Sequence, residues 1–445
     1  MKRCRYYLLA LGFSGLLLAD NALGTNPLIM DQFTADPTAR VFEGRMYVYP
    51  SHDIPAEPGK GRPNWFCMED YHVFSSENLT DWKDHGVIVS QTNVEWAVSN
   101  AYSMWAPDCV FKNGKYYFFF PATAKGGGFR VGVAISEKPY GPFKPESKPI
   151  EGVRGIDPCV LLDKDGHAYL YYSMGRIFVA RLKDNLVELD GQPKAIENLP
   201  TKGLLEGPFA FERKGIYYLT YPHVQTTTER LEYSTADNPL GPFKQAGVIL
   251  DESPDGCWTV HHSIVEYQGQ WYLFYHDKDL SPDFDKNRSV RAEYLSFNDD
   301  GTIQKVTPTF RGVGNVAATS KIQIDRYSAI SEKGVTVSFL NETNHFAGWK
   351  ISLNGSHAWV RFDRVDFGKN KSRSARIRAE SATGGSIEIH LDKANGPLLA
   401  KVAIDKSSDW NIAKSKLASV SAGLHDLFIL QTGDGNLDVD WISFE

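Results

Sequence analysis

A short repeated unit constrains the fold of this chain more than any other feature of its sequence. The unit is a turn glycine, one further residue and then an aromatic-rich strand. Its five copies begin at Gly44, Gly114, Gly166, Gly215 and Gly269, so the spacings are 70, 52, 49 and 54 residues. A repeat near 50 residues with several strands per unit is typical of a β-propeller. Five copies predict an all-β domain of five blades over residues 25–312.

Aromatic residues and charge narrow the function. The 445 residues include 10 Trp, 21 Tyr and 25 Phe, and aromatic side chains both favour strands and stack on flat ligands. We expect most tyrosines of the repeated strands to pack between blades. The formal charge is −6, so the composition favours neither nucleic acid nor an anionic membrane as a partner.

The first 24 residues resemble a secretory signal. Lys2, Arg3 and Arg5 precede an apolar run over 8–18, and a small-x-small cleavage site follows at 22–24. The run is too short to cross a bilayer, and no later stretch is long enough, so no membrane span is predicted. We therefore expect an exported protein, periplasmic or secreted.

Four cysteines follow the predicted signal: Cys67, Cys109, Cys159 and Cys257. An even number in an exported protein permits disulfides in three pairings. The alternative, four small buried apolar side chains, is favoured because four cysteines in so long a chain do not make a disulfide scaffold. No spacing typical of a zinc site is present.

A polar residue opens a strand shortly before each turn glycine. In chain order these residues are Asp36, Asp108, Asp157, Glu206 and His261. The innermost strands of a propeller line its axis, so the repeat predicts that all five converge at one mouth of the channel. The alternative is that the acidic residues only cap turns.

Carboxylates gathered in such a cleft can act as an acid and a base. Repulsion and burial raise the pKa of one carboxyl group, whereas hydrogen bonds and cations hold another low. Two carboxyl groups about 6.5–9.5 Å apart leave room for water and suit an inverting glycosidase, whereas about 5 Å suits a retaining one. Residues contributed by different blades favour the wider gap.

The motifs around these residues resemble those of glycoside hydrolase family 43. They are Thr34-Ala35-Asp36-Pro37, Trp105-Ala106-Pro107-Asp108, Gly155-Ile156-Asp157-Pro158, Leu205-Glu206-Gly207-Pro208 and the segment 297–303. The resemblance covers about residues 27–312. It implies a five-bladed propeller that hydrolyses arabinose- or xylose-containing glycans with inversion at the anomeric carbon. It also implies that Asp36 is the general base, that Glu206 is the general acid and that Asp157 tunes and orients the acid.

Further residues carry over from the same resemblance. His261 matches an axial histidine that helps to hold a metal ion, often calcium, through water. A hydrogen-bonded core histidine is the alternative. His262 points to the opposite face of a regular strand and is a candidate substrate contact. Arg288 resembles a substrate-contacting arginine, with Arg291 as a rival and an ordinary surface arginine as the alternative.

Several aromatic residues are candidates for sugar stacking. Trp105 opens the second blade beside the axis, and Trp258 and the pair Trp65-Phe66 lie on connecting loops, where binding residues concentrate. The long insert 52–71 lengthens the first repeat interval. We expect it to wall off one side of the mouth and to make a pocket.

The residue pattern of the sequence changes after residue 312. Residues 313–445 form short alternating strands without the repeat, which predicts one β-sandwich of the jelly-roll type. Segments 359–368, 385–391, 424–429 and 438–441 resemble a family 6 carbohydrate-binding module. The resemblance implies that Trp349 and Trp410 sandwich a sugar, whereas Asp438 replaces the asparagine usual there. A purely structural sandwich that supports the propeller is the alternative.

Three functions are therefore in competition. The favoured one is an inverting exo-glycosidase of the α-L-arabinofuranosidase or β-xylosidase type, acting as a monomer on plant cell-wall arabinoxylan or arabinan. The second is an endo-acting xylanase or arabinanase with the same chemistry. The third is a non-catalytic carbohydrate-binding propeller, against which the three carboxylates argue.

Overall fold

The computed structural model describes residues 26–343, 347–356, 358–369, 372–433 and 435–445. The predicted signal over residues 1–24 lies outside these ranges. The described residues form β-strands and loops, with a 3-10 turn at Gln91–Asn93. None of them belongs to a helix long and apolar enough to cross a membrane.

Five antiparallel sheets follow one another along the first part of the chain, and each is a meander. Blade 1 contains β1 (Ala35–Phe42), β2 (Arg45–Ser51), β3 (Asp70–Ser76) and β4 (Lys83–Ser90). Blade 2 contains β5 (Asp108–Lys112), β6 (Lys115–Thr123), β7 (Phe129–Ser136) and β8 (Lys144–Pro145). Blade 3 contains β9 (Ile156–Leu162), β10 (Ala168–Ser173), β11 (Ile177–Leu182) and β12 (Lys194–Ala195). Blade 4 contains β13 (Phe209–Arg213), β14 (Ile216–Val224), β15 (Glu229–Ala236) and β16 (Lys244–Leu250). Blade 5 contains β17 (His262–Tyr267), β18 (Gln270–Asp277) and β19 (Ser289–Leu295).

The segment before β1 closes the ring of blades. The N–H of Leu28 donates to the carbonyl of Val290 at 2.8 Å, and that of Thr34 donates to the carbonyl of Arg288 at 2.9 Å. The three-stranded fifth blade therefore gains its outer partner from the other end of the domain, and β1 packs against β17. The fold predicted from the glycine repeat is confirmed.

Aromatic side chains of the second and third strands of blade 1 pack against blade 2. Tyr49 and Tyr71 of blade 1 are fully buried, and their rings lie 5.9 and 5.0 Å from that of Phe118 in blade 2. The contact of Tyr49 confirms for the first repeat strand that its tyrosine serves packing between blades. The four cysteines are buried and unpaired, as the buried-residue alternative predicted.

The second domain is a sandwich of two six-stranded sheets. One sheet has the order β20-β25-β30-β27-β28, with β22 beside β25, and the other has β23-β24-β31-β26-β29, with β21 beside β31. Its strands are β20 (Val316–Ala317), β21 (Ile322–Gln323), β22 (Ala329–Ile330), β23 (Val335–Phe339), β24 (Trp349–Asn354), β25 (Trp359–Asp366), β26 (Ser374–Ser381), β27 (Gly385–Leu391), β28 (Leu398–Ile404), β29 (Ser407–Lys416), β30 (Leu424–Thr432) and β31 (Asn436–Phe444). Buried and partly exposed residues alternate along β26, so one face of the strand supplies the core, as period-2 patterning requires.

Candidate active site

A cavity of about 230 Å³ opens where the inner strands of the propeller begin. Its wall combines carboxylates and cations with aromatic rings. The polar lining consists of Asp36, Asp157, Glu206, Glu229, His261 and Arg288, and the aromatic lining consists of Trp65, Phe66, Trp105 and Trp258. Four of the five strand-opening residues predicted to converge therefore do so.

Two of the carboxylates enter the cavity from breaks in strand pairing. Asp36 and Asp157 have φ values of 46° and 56°, in the left-handed region, and the register of β1 and of β9 shifts at these residues. A bulge bends the strand and re-aims the side chain, which is how both carboxylates leave the plane of their blades. Positive φ is unusual for a residue with a side chain, so the rest of the propeller holds this conformation in place.

Asp36 is held by an arginine, a serine and a histidine. Arg288 donates from Nη1 to Oδ1 at 2.8 Å, and the Ser51 hydroxyl donates to Oδ2 at 2.7 Å. The backbone N–H of Asp36 donates to Nδ1 of His276 at 2.9 Å. Burial alone would raise the pKa of Asp36. Arg288 and, to a smaller extent, His276, His261 and Ser51 instead lower this pKa to about 2. Asp36 is therefore ionised throughout the physiological range.

Asp157 lies in the opposite electrostatic setting. Burial and the negative charge of Glu206 raise the pKa of Asp157 well above its usual value, and the N–H of Gly207, which donates to Oδ2 at 3.0 Å, opposes that shift only in part. The hydrogen bond to Gly207 ties Asp157 to the loop that carries Glu206. Asp157 can thus orient this loop.

Glu206 faces a buried glutamate that the repeat does not reveal. Glu229 opens β15 and accepts a hydrogen bond from the N–H of Val260 at Oε2, at 2.9 Å. Its other oxygen, Oε1, is buried, and no donor among the described residues reaches it. Burial and the charge of Glu229 raise the pKa of Glu206 well above its usual value, and burial raises that of Glu229 to about 7. The side chains of Glu206 and Glu229 share a hydrogen bond, which requires a proton on one of the two carboxyl groups.

The two neighbouring histidines lie in different surroundings, and only His261, which the repeat placed at the mouth, lines the cavity. His261, the candidate metal residue, lines the cavity, where burial lowers its pKa to about 4 and keeps it neutral. His262, the candidate substrate contact, is fully buried outside the cavity lining. One ring nitrogen of His262 shares a hydrogen bond of 2.5 Å with the Thr220 hydroxyl, and the other, Nδ1, has no partner among the described residues.

Asp108 does not join the cluster, which corrects the prediction that all five residues meet. It stands in regular register opposite Phe119, without the bulge that turns Asp36 and Asp157 outward. Its carboxylate is buried and accepts hydrogen bonds from Arg40 at 2.7–3.0 Å and from the backbone N–H of Val160 at 2.6 Å. Asp108 therefore links the first three inner strands instead of facing substrate.

Arg288 is not the surface arginine of the alternative interpretation. It is 2% exposed, and its guanidinium also holds Asp53 through Nε and Nη2, both at 2.9 Å. The rival Arg291 lies outside the cavity lining, within 3.5 Å of Asp277.

The insert forms an aromatic wall. Trp65 and Phe66 both lie 6.0 Å from the ring of Trp258, and Phe66 lies 6.3 Å from that of Trp105. The predicted stacking residues Trp105 and Trp258 thus line the same cavity as the carboxylates.

The carbohydrate-module residues do not share one cleft. Trp349 belongs to the same face of β24 as the core residue Ile351 and lines a cavity of about 910 Å³ between the domains, with Arg326 5.0 Å from its ring. Trp410 is covered by Arg378 at 4.9 Å instead. Asp438 lines a separate cavity of about 360 Å³ and accepts from the Ser352 hydroxyl at 2.5 Å. Arg378 also lines the cavity that Trp349 lines, so a sugar shared by the two rings stays a prediction.

Sequence reasoning missed Ser51, Asp53, Glu229 and His276. None of them opens an inner strand. Ser51 and His276 lie near the far ends of second strands, Asp53 follows one, and Glu229 opens a third strand. The register of the repeat does not mark these positions, and the one available signal was that Asp53 belongs to the insert 52–71 and that Ser51 directly precedes it.

A propeller whose axial cavity presents an ionised carboxylate opposite a carboxyl group with a raised pKa has the acid and base of a glycosidase. Comparison with known proteins assigns the class more closely. The profile of Glycosyl hydrolases family 43 matches residues 25–303, and that of Carbohydrate binding module (family 6) matches residues 311–445. The chain belongs to glycosyl hydrolase family 43, carries a family 6 module and is a glycoside hydrolase.

Three relatives illustrate the similarity. Xylosidase/arabinosidase 43A of Humicola insolens is 37% identical over 332 residues, which cover 63% of this chain and 99% of the relative. A family 43 β-xylosidase/α-arabinofuranosidase from a compost microbial metagenome, solved with xylotriose in a calcium-free form, is 36% identical with a TM-score of 0.58 and covers 64% of this chain and 98% of its own. A family 43 arabinoxylan arabinofuranohydrolase from Bacillus subtilis, solved with cellotetraose, is 25% identical with a TM-score of 0.55 and covers 96% of this chain and 98% of its own.

Proposed function

We propose that the protein is an inverting exo-glycosidase that releases arabinofuranose or xylose from plant cell-wall arabinoxylan or arabinan. The observation that carries this proposal is the opposed protonation of two carboxyl groups in one cavity. Arg288 lowers the pKa of Asp36 to about 2, whereas burial and Glu229 raise that of Glu206. At the same pH one group is a base and the other an acid.

The chemistry follows from these two states. Glu206 donates its proton to the glycosidic oxygen as the bond from that oxygen to the anomeric carbon breaks. Asp36 accepts a proton from the water that attacks the anomeric carbon on the other face, so one carbon–oxygen bond is exchanged for another and the configuration inverts. Asp157 acts through Glu206, because its bond to Gly207 positions the acid.

The aromatic wall supports exo action. Trp65 and Phe66 cover the cavity, and its volume of about 230 Å³ is below the roughly 300–1,000 Å³ typical of drug-sized ligands, which suits a single pentose. A second cavity of about 650 Å³ shares Trp105 and Ile156 with the first. We assign the released sugar to the small cavity and the leaving group to the larger one, where Met174 and Arg130 line the surface.

The choice of arabinofuranose or xylose rests on the relatives. The Humicola enzyme is named for both sugars, and the Bacillus subtilis enzyme is named for arabinoxylan. We propose the same substrate class here, with the second domain serving either to bind the polysaccharide or to support the propeller.

We further propose that the channel holds a calcium ion. The buried Nδ1 of His262 has no partner among the described residues, so this histidine, rather than His261, fits an ion that is reached through water. Such an ion supplies positive charge beneath the cavity. We also propose that the protein is exported through the signal at residues 1–24 and that it acts as a monomer.

Product analysis tests the function. The wild type, Glu206→Gln and Asp36→Asn are incubated with 4-nitrophenyl pentosides, arabinoxylan and arabinan, with Glu188→Gln as the matched control because Glu188 is exposed beside Lys183. We expect single pentoses of inverted configuration, detected by NMR at early times. General acid–base catalysis contributes about 10²–10⁴-fold, so both variants should lose that much on polysaccharide, and Glu206→Gln should lose less on activated aryl glycosides.

The alternatives give different products. Oligosaccharides as first products would show endo action, and binding without any product would show a carbohydrate-binding propeller. Near-normal activity of Asp36→Asn would overturn the assignment of the base.

A further inference from the structure

A cluster of two histidines and an aspartate lies on blade 1, outside the cavity lining. One nitrogen each from His52 and His72 and one oxygen of Asp70 lie within 4.8 Å of one another, and the three side chains are 15–20% exposed. His52 follows β2, and Asp70 and His72 point to the same face of β3 because they are two residues apart. We propose that these three residues bind a divalent transition metal of the zinc class, in a site that does not rest on the proposed glycosidase function.

The chemistry of the donors selects the class of metal. Two imidazoles and one carboxylate suit zinc and its neighbours, whereas calcium prefers six to eight oxygen ligands. With metal–ligand bonds of about 2.0–2.2 Å, tetrahedral ligand atoms lie about 3.3–3.6 Å apart. The His52–Asp70 contact of 2.7 Å therefore has to widen slightly, and the wider distances, all within 4.8 Å, have to close. Three protein ligands leave the fourth position to water.

The surroundings of His72 prepare it as a ligand. Its Nδ1 lies 3.1 and 3.0 Å from the two oxygens of Asp84, which places the proton on this nitrogen and leaves the lone pair on Nε2. Asp84 is itself held by the N–H of Gly86 at 2.7 Å and by Gln32 at 3.1 Å. A carboxylate that orients a ligating histidine in this way is the usual outer partner of a protein-bound metal.

His52 completes the site. Its Nδ1 lies 2.7 Å from Oδ1 of Asp70, and its ring meets that of His72 edge to face at 4.9 Å between centroids. A metal ion bound here would replace the proton shared by His52 and Asp70, which would free both side chains to act as ligands. The site is thus a hydrogen-bonded cluster that a cation can enter in exchange for one proton.

A metal ion in this cluster would lie next to the segment that positions the Asp36 carboxylate. His52 stands between Ser51, which donates to Asp36 at 2.7 Å, and Asp53, which holds Arg288. Residues on either side of His52 therefore position the Asp36 carboxylate, while His52 itself points to the cluster. A metal bound here would brace this segment, so we expect it to raise the melting temperature.

Zinc titration of the full chain tests the proposal. Chelator-treated protein is dialysed into calcium chloride, to fill oxygen-rich sites, and titrated with zinc chloride in a calorimeter. We expect one zinc per chain in the wild type, at least a tenfold loss of affinity in His72→Gln and His52→Gln, and a 10–100-fold loss in Asp84→Asn, which alters only the outer partner. His425→Gln is the matched control, because His425 also contacts a carboxylate, at 3.2 Å from Asp392.

Two further measurements keep the test decisive. Cobalt chloride should give the visible absorption of a tetrahedral complex in the wild type and in His425→Gln but not in His72→Gln. Zinc should raise the melting temperature of the wild type and leave that of His72→Gln unchanged. The proposal is overturned if zinc binds equally well to all the variants, or if the wild type takes up none; should His72→Gln fail to fold, Asp84→Asn decides.

Discussion

Arg288 donates from Nη1 to Oδ1 of Asp36 at 2.8 Å and from Nη2 to Oδ2 at 3.3 Å. The same guanidinium holds Asp53, whose own pKa is raised by burial. One cation therefore serves two buried carboxylates, and the one that faces the cavity is the more acidic. The base is kept ionised by geometry as well as by charge, since only a planar fork reaches both partners.

The Arg288–Asp36 pair predicts the acidic limb of the pH profile. The general base must be ionised, so activity is lost as the pH falls through the pKa of Asp36, which Arg288 lowers to about 2. Arg288→Lys keeps the charge but loses the fork, so the pKa of Asp36 should rise and the acidic limb of kcat/KM should move to higher pH. Arg45→Lys, in an exposed pair with Glu77, is the control. An unchanged acidic limb in Arg288→Lys would contradict this role.

The Glu206–Glu229 pair predicts the alkaline limb. The general acid must be protonated, so activity is lost as the pH rises through the pKa that belongs to the pair. Burial comes first and the charge of Glu229 second among the causes that raise the pKa of Glu206. Glu229→Gln removes that charge, so the alkaline limb of kcat/KM should move to lower pH while the acidic limb stays in place. Movement toward higher pH would show that Glu229 lowers the pKa of the acid.

The glycine repeat was sufficient to predict the architecture because turn chemistry is local. Gly44 and its counterparts fix each inner hairpin, and their spacing counts the blades. The same register placed Asp36, Asp157 and Glu206 in one cavity, where they meet from blades 1, 3 and 4. The repeat does not predict the direction of a side chain where the strand pairing differs between blades. Asp108 keeps regular strand pairing, whereas the strands of the other two aspartates are bulged, so Asp108 does not enter the cavity.

Contacts that arise from packing left no trace in the sequence. Glu229 reaches Glu206 from a third strand, and Asp53 reaches Arg288 across the closure of the ring. The second domain shows the same limit, because Trp349 and Trp410 match a known pattern but face different surroundings.

His262 predicts the response to calcium. If the unpartnered Nδ1 contributes to a calcium site, a chelator should lower the melting temperature of the wild type, and added calcium chloride should restore it by mass action. His262→Gln should melt at the same temperature with and without calcium. His390→Gln, at a partly buried histidine of the second domain, is the control. If a chelator changes neither the melting temperature nor the activity, the proposal that the channel holds a calcium ion is wrong.

Asp108 and Arg40 predict a large loss of stability away from the catalytic groups. Asp108 is fully buried, Arg40 is 19% exposed, and Asp108 also accepts from the N–H groups of Cys109 and Val160. Breaking a buried ion pair leaves an uncompensated charge and costs about 3–5 kcal/mol, so Asp108→Asn should reduce the free energy of unfolding by about that amount. Asp184→Asn breaks the exposed pair with Lys112 and should cost about 0.2–1 kcal/mol. Urea unfolding of both variants separates the cases. Equal losses of unfolding free energy in the two variants would mean that the Arg40–Asp108 pair is solvated and that Asp108 does not hold the inner strands together.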